Sequence, residues 1–135
     1  MSNQRILIIP CSGIGKSLGT VGRKAAYKTI EKLRPNRTRT TCLALLTAGD
    51  KKALKLVREN PCMSIDGCPA QCATKNIKAA KGRLVRNILV TDVLRQHKGL
   101  KPRGVIKLNA EGEKLASLLA GEATKEIDRI VGDEE

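Results

Sequence analysis

The sequence predicts a single α/β domain spanning residues 1–135, a three-layer arrangement with a mostly parallel sheet of about four strands between helices. Two observations carry this expectation. Short apolar runs closed by turn residues alternate with longer segments whose apolar positions recur every three or four residues. Such an alternation favours parallel strands, because each intervening helix carries the chain back across the sheet. The chain of 135 residues is long enough to bury a core. With one Tyr and no Trp or Phe, that core must be built from Leu, Ile, Val and Ala.

The elements follow in order. "RILIIP" (5–10) is an apolar run ended by proline and reads as a buried strand, and "CSGIG" then makes a tight turn. From Lys16 to Leu33, Leu18, Val21, Ala25, Ala26, Ile30 and Leu33 recur at helical spacing. Gly19 and Gly22 weaken the first turns of that helix, and Pro35 stops it. "TCLALL" (41–46) reads as a second strand. Asp50 caps a short helix with Ala53, Leu54 and Val57 inward, ended by Asn60-Pro61.

"CMSI" (62–65) is a third strand. Pro69 suits the first turn of a helix reaching about Lys81, with Gly82 as its stop. "NILVTD" (87–92) is a fourth strand, with a short helix or loop through His97, and "GVIKL" (104–108) offers a fifth. Asn109 caps a last helix with Leu115, Leu118, Leu119, Ala123, Ile127 and Ile130 on one side, and Gly121 is placed to bend or split it. Strand order 2-1-3-4, as in flavodoxin-like sheets, is assumed from the fold class.

The charge is uneven. The net charge is +13, yet residues 72–107 carry ten Lys/Arg against one acid, and residues 111–135 carry eight acids against three bases. A basic middle fits either a solvated surface or a nucleic-acid partner. Against the latter stand the missing aromatics for stacking on single strands and the lack of an Arg-rich helix with a recognition pattern. The N-terminus lacks the long apolar region of a signal peptide, and no stretch is long enough to cross a membrane. The expectation is a cytoplasmic protein with reduced thiols and no membrane partner.

Five cysteines cannot all pair as disulfides, and their clustering points to metal or redox chemistry. Cys11 follows the first strand, and Cys68 and Cys72 follow the third. In parallel sheets the loops at the C-terminal strand ends gather along one edge, where ligands bind. A helix begun by Pro69 would set Cys68 and Cys72 at i, i+4 on one face. Their Cβ atoms would lie about 5–6 Å apart, a spacing that suits two thiolates on one Zn²⁺. The helix N-terminus favours the thiolate form, and Gly67 gives the close turn. Cys62 opens the third strand, so at about 3.3 Å per residue it sits near the opposite edge and reads as a small buried hydrophobe. Cys42 shares that problem unless its strand begins near Arg37.

"IDGCPAQCATK" (65–75), "CSGIGKSLGTVGRKAAY" (11–27) and "VTDVLRQH" (90–97) together resemble the DGC-domain family of zinc-binding proteins, named for the Asp-Gly-Cys at 66–68. The resemblance covers nearly the whole chain. It implies a zinc ion held by Cys11, Cys42, Cys68 and Cys72, and it says little about a reaction.

Other readings stand beside it. "PCSGIGKS" (10–17) nearly spells a phosphate-binding loop, with Gly15, Lys16 and Ser17 in place but Pro10 where the first glycine belongs. Asp92 would be its magnesium partner. In the metal reading Gly13 and Gly15 make the turn that aims Cys11, while their amides and Lys16 hold an anion or a small thiol. A thiol redox or sulfur-carrier protein using Cys11, Cys68 and Cys72 is the functional rival, and an iron–sulfur centre the metal rival. His97 is a ligand or a helix-end residue, and Asp66 either supports the thiolates or caps the turn. Tyr27 is expected to pack, partly buried, with its hydroxyl at the solvent.

Overall fold

The structure, a computed structural model, describes residues 5–10, 17–41, 43–67, 71–97, 99–102 and 108–132. Its four strands are β1 (Ile6–Pro10), β2 (Thr38–Thr40), β3 (Pro61–Asp66) and β4 (Arg83–Leu89). They form one all-parallel sheet in the order β2-β1-β3-β4, the expected one. The helices are α1 (Ser17–Lys28), α2 (Leu43–Thr47), α3 (Lys51–Glu59), α4 (Cys72–Ala79), α5 (Val90–Gln96) and α6 (Ala110–Gly132). A π-helical turn over Thr29–Leu33 extends α1 toward Pro35.

The alternation of strand side chains divides the core in two. Ile6, Ile8, Met63, Ile65 and Ile88 pack under α1, α5 and α6. Leu7, Ile9 and Cys62 face α2, α3 and α4, against Leu43, Ala53, Val57, Ala73 and Ile77. Every residue of β1 and β3 is buried, as expected of central parallel strands covered on both faces. Asp50 caps α3 through its carboxylate, which accepts from the Ala53 amide at 3.0 Å. Asn109 caps α6, accepting from the Gly112 amide at 2.8 Å. Gly121 does not split α6, which continues unbroken to Gly132.

Three elements differ from expectation. The second strand is Thr38–Thr40, and Leu43–Thr47, expected as its body, is helical. Leu43 and Leu46 both reach the core, three apart, and so short an apolar run fits helix and strand alike. The fourth strand starts earlier and ends at Leu89, and Val90 opens α5 with Val93 beside it in the core. As an edge strand with only Ile88 buried, β4 tolerates the exposed Arg83 and Arg86, which hid its first half. The helix expected from Pro69 begins at Cys72, after Gln71 in a left-handed conformation at φ 54°. The fifth strand falls mainly on 103–107, outside the described residues.

The end of α4 reassigns Gly82. Lys81 takes the left-handed position at φ 63°, its amide donating to Lys78 O, and the Gly82 amide donates to Ile77 O. These two bonds form a Schellman motif with lysine where glycine is usual. Gly82 is needed one residue later for space: a Cβ there would overlap Val57 Cγ1 and lie 2.9 Å from Ile77 Cγ2.

Candidate functional site

Because all four strands are parallel, their C-terminal ends share one edge. Pro10 pairs with Ile65, Ile8 with Thr40, and Asp66 with Leu89. The chain segments leaving β1, β2 and β3 therefore start from the same side of the sheet. They lead to α1, α2 and α4.

Gly67 brings the end of β3 against the first turn of α1. A Cβ at Gly67 would stand 3.0 Å from Gly19 N, 3.1 Å from Leu18 C and 3.2 Å from Gly19 Cα. The turn after β3 thus lies directly on the first turn of α1. Glycine is required there by close approach.

Asp66 determines where α4 begins. Fully buried, it accepts from the Ala73 amide at 2.8 Å and the Thr74 amide at 3.4 Å. These are two of the first amides of α4, which have no partner within the helix. The Gln71 side chain makes no cap, so a carboxylate from the preceding strand does that work. Asp66 also accepts from Thr74 Oγ1 at 2.8 Å and Asn87 Nδ2 at 3.0 Å. Ser64 and Thr74 share a hydroxyl contact of 2.6 Å, and Asn87 Nδ2 also donates to Ser64 Oγ at 2.7 Å. Of the two roles expected for Asp66, capping is the one seen. Ser64, Thr74 and Asn87 were not legible as partners, since they come from three elements.

Cys72 is the first residue of α4 and is exposed. The described part of α4 begins at Cys72 rather than at Pro69, and the expected i, i+4 pairing with Cys68 falls on residues outside those described. Cys11, Cys42, Cys68, Gly13, Gly15 and Lys16 lie outside the described residues. Pro10, Thr41, Leu43 and Gly67, beside these cysteines in the chain, are described. With β2 ending at Thr40, position 42 follows its strand, which removes the sequence-based objection to Cys42.

The match to known families decides the assignment. The DGC domain family covers residues 7–111, most of the chain. This chain belongs to the DGC domain family. No curated protein and no solved structure matches it significantly. In the DGC tripeptide, Asp66 anchors α4 and Gly67 seats against α1, so both fix the chain just before Cys68.

Cys62 of this DGC domain is fully buried, toward the N-terminal end of β3. Its Sγ donates to Val57 O and Asn60 O, each at 3.4 Å. Burial pushes its thiol up to about 11, partly opposed by the Arg83 charge. A raised thiol pKa stabilises the fold fully below the unfolded value near 8.5, and that contribution is lost as pH rises toward 11. At pH 8, iodoacetamide is expected to alkylate Cys72 in the folded, metal-free protein and spare Cys62. Peptide mass mapping checks this, and equal labelling of the two would contradict it.

His97 is half-buried just past α5, and its amide donates to Leu94 O. Asp92 pairs with Arg95 within α5. Tyr27 is 46% exposed, more open than a packing role requires, because α1 turns its opposite side to the sheet. Among the described residues no three His, Cys, Asp or Glu side chains gather as a metal-binding group, and no helix is long and apolar enough to cross a membrane.

Two buried polar atoms lack partners among the described residues, Arg23 Nη1 and Thr91 Oγ1. Arg23 Nη2 donates to Thr20 Oγ1, one turn nearer the start of α1, so the guanidinium leans toward the C-terminal sheet edge. Thr91 sits in the first turn of α5, which leaves the same edge.

Proposed function

We propose that this chain is a small cytoplasmic zinc-binding protein whose metal is held by cysteine thiolates at the C-terminal edge of the sheet. Cys72 is one ligand. Cys11 and Cys68 join it from the connections after β1 and β3, and Cys42 completes the set. The observation that supports this reading is the contact of Gly67, the residue before Cys68, with Leu18 and Gly19 in the first turn of the helix that follows Cys11 in the chain.

The donor chemistry fits zinc. Four thiolates leave a site of net charge about −2. The unpartnered guanidinium nitrogen of Arg23 and the start of α4 offer positive potential on that side of the molecule. Cys62 is remote, protonated and already donating to two carbonyls, so it is left out. Zinc with four protein ligands has no position for water, so this reading predicts no hydrolase activity.

Metal analysis of protein purified without chelator should find about one zinc per chain. Cys68→Ser and Cys72→Ser should each lower occupancy at least tenfold, and Cys62→Ser should leave it unchanged. Full zinc retention by the Cys68→Ser/Cys72→Ser double variant would refute the proposal.

The exposure of Cys72 favours one second reading, a thiol redox or sulfur-carrier protein. Chelation separates the two. A zinc clamp should lose structure by circular dichroism when the metal is removed. A redox protein should stay folded and show titratable thiols.

A further inference from the structure

We propose that the outer face of the α2–α3–α4 layer docks on the phosphate backbone of double-stranded nucleic acid, independently of the cysteine site. The fold sorts the charge of this chain by layer. Residues 43–59 and 72–81 carry seven Lys/Arg and two acids, while α6 alone carries five acids and three bases. On the α6 side several of the bases are engaged. Lys24 pairs with Glu113, Arg34 makes a two-pronged contact with Asp128 at 2.6 and 2.8 Å, and Arg86 reaches Glu126.

On the other side they are not. Lys51, Lys55 and Arg58 form one exposed stripe along α3, at i, i+4 and i+7. Lys75, Lys78 and Lys81 are exposed along α4 and its end. None of these six meets a carboxylate among the described residues. Arg58 Nε donates to Ala80 O at 2.9 Å, and Gly82 abuts Val57, so the C-terminal ends of the two helices meet. Of the two acids in the layer, Asp50 is already committed as the α3 cap.

The dimensions suit a duplex. The α3 stripe is about 10 Å long. About 10 Å of duplex axis presents roughly six phosphate charges. Other polyanions fit less well. The sole aromatic residue, Tyr27, is on α1, so this face has no platform for stacking single-stranded bases. Leu45 is the one large apolar side chain exposed in this layer, too little for insertion into a membrane interface or for anchoring in a protein partner.

The test uses the full chain and a fluorescein-labelled duplex of about 20 base pairs, read by anisotropy across a salt series. With about five phosphates contacted, raising salt fourfold should weaken binding about 500-fold. The triple variant Lys55→Glu, Lys75→Glu, Lys78→Glu should flatten the salt dependence by about three powers of salt. The triple Lys32→Glu, Lys114→Glu, Lys125→Glu changes net charge equally on the opposite layer and should bind like the wild type. All six positions are exposed, and circular dichroism verifies folding. Equal losses in both triples would overturn the proposal, as would absence of duplex binding by the wild type. So would tighter binding to single strands or to phosphatidylserine vesicles than to the duplex.

Discussion

Asp66→Ala is expected to destabilise the fold by about 3–5 kcal/mol, the largest effect of any single polar substitution here. The carboxylate is fully buried and takes hydrogen bonds from the Ala73 amide, the Thr74 hydroxyl and the Asn87 amide within 3.0 Å. Alanine leaves these donors facing an apolar gap, and each buried donor without an acceptor costs about 1–3 kcal/mol. The Ser64–Thr74–Asn87 contacts survive and offset part of that loss. Asp66→Asn should cost less, about 1–3 kcal/mol, since one oxygen still serves the helix while the new amide group opposes other donors. Asp50→Ala is the reference, an ordinary helix cap worth about 0.5–2 kcal/mol. Urea unfolding of the three variants gives the ranking. If Asp66→Ala cost no more than Asp50→Ala, the carboxylate would not be the anchor of α4.

Gly67→Ala should cost about 1–3 kcal/mol through overpacking. The added methyl meets backbone atoms of Leu18 and Gly19, so no side chain can rotate away and the end of β3 must separate from the first turn of α1. Under the zinc reading that separation also weakens the metal site, with at least a tenfold fall in zinc affinity by competition with a chelating dye. Gly121→Ala is the contrast. Nothing lies within 4 Å of a Cβ there, and replacing glycine inside a helix should stabilise by about 0.5–1 kcal/mol. Equal thermal shifts for the two variants would show that Gly67 is not held in tight contact.

Local signals were sufficient where a residue's role is decided by its near neighbours. Asp50 and Asn109 were legible as caps because a cap bonds amides two or three residues ahead. The buried strands β1 and β3 were legible because a strand covered on both faces must be apolar at nearly every position. The remoteness of Cys62 followed from the rise of a strand alone. These suffice to specify the alternation of strand and helix, and with it a parallel sheet whose C-terminal edge collects the cysteine-bearing connections.

Tertiary structure decided whatever depends on partners distant in the chain. The edge strands β2 and β4 were misplaced because an edge needs few apolar side chains, so their boundaries are set by pairing with β1 and β3. The start of α4 depends on a carboxylate seven residues before the amide it caps. Lys81 takes the left-handed turn because the glycine beside it is needed for contact with Val57, on another helix. The charge asymmetry has the same origin. A sequence shows how many bases and acids there are, but which bases meet an acid depends on the layer each helix joins. Here α6 folds over α1 and engages its cations, and leaves those of α3 and α4 facing water.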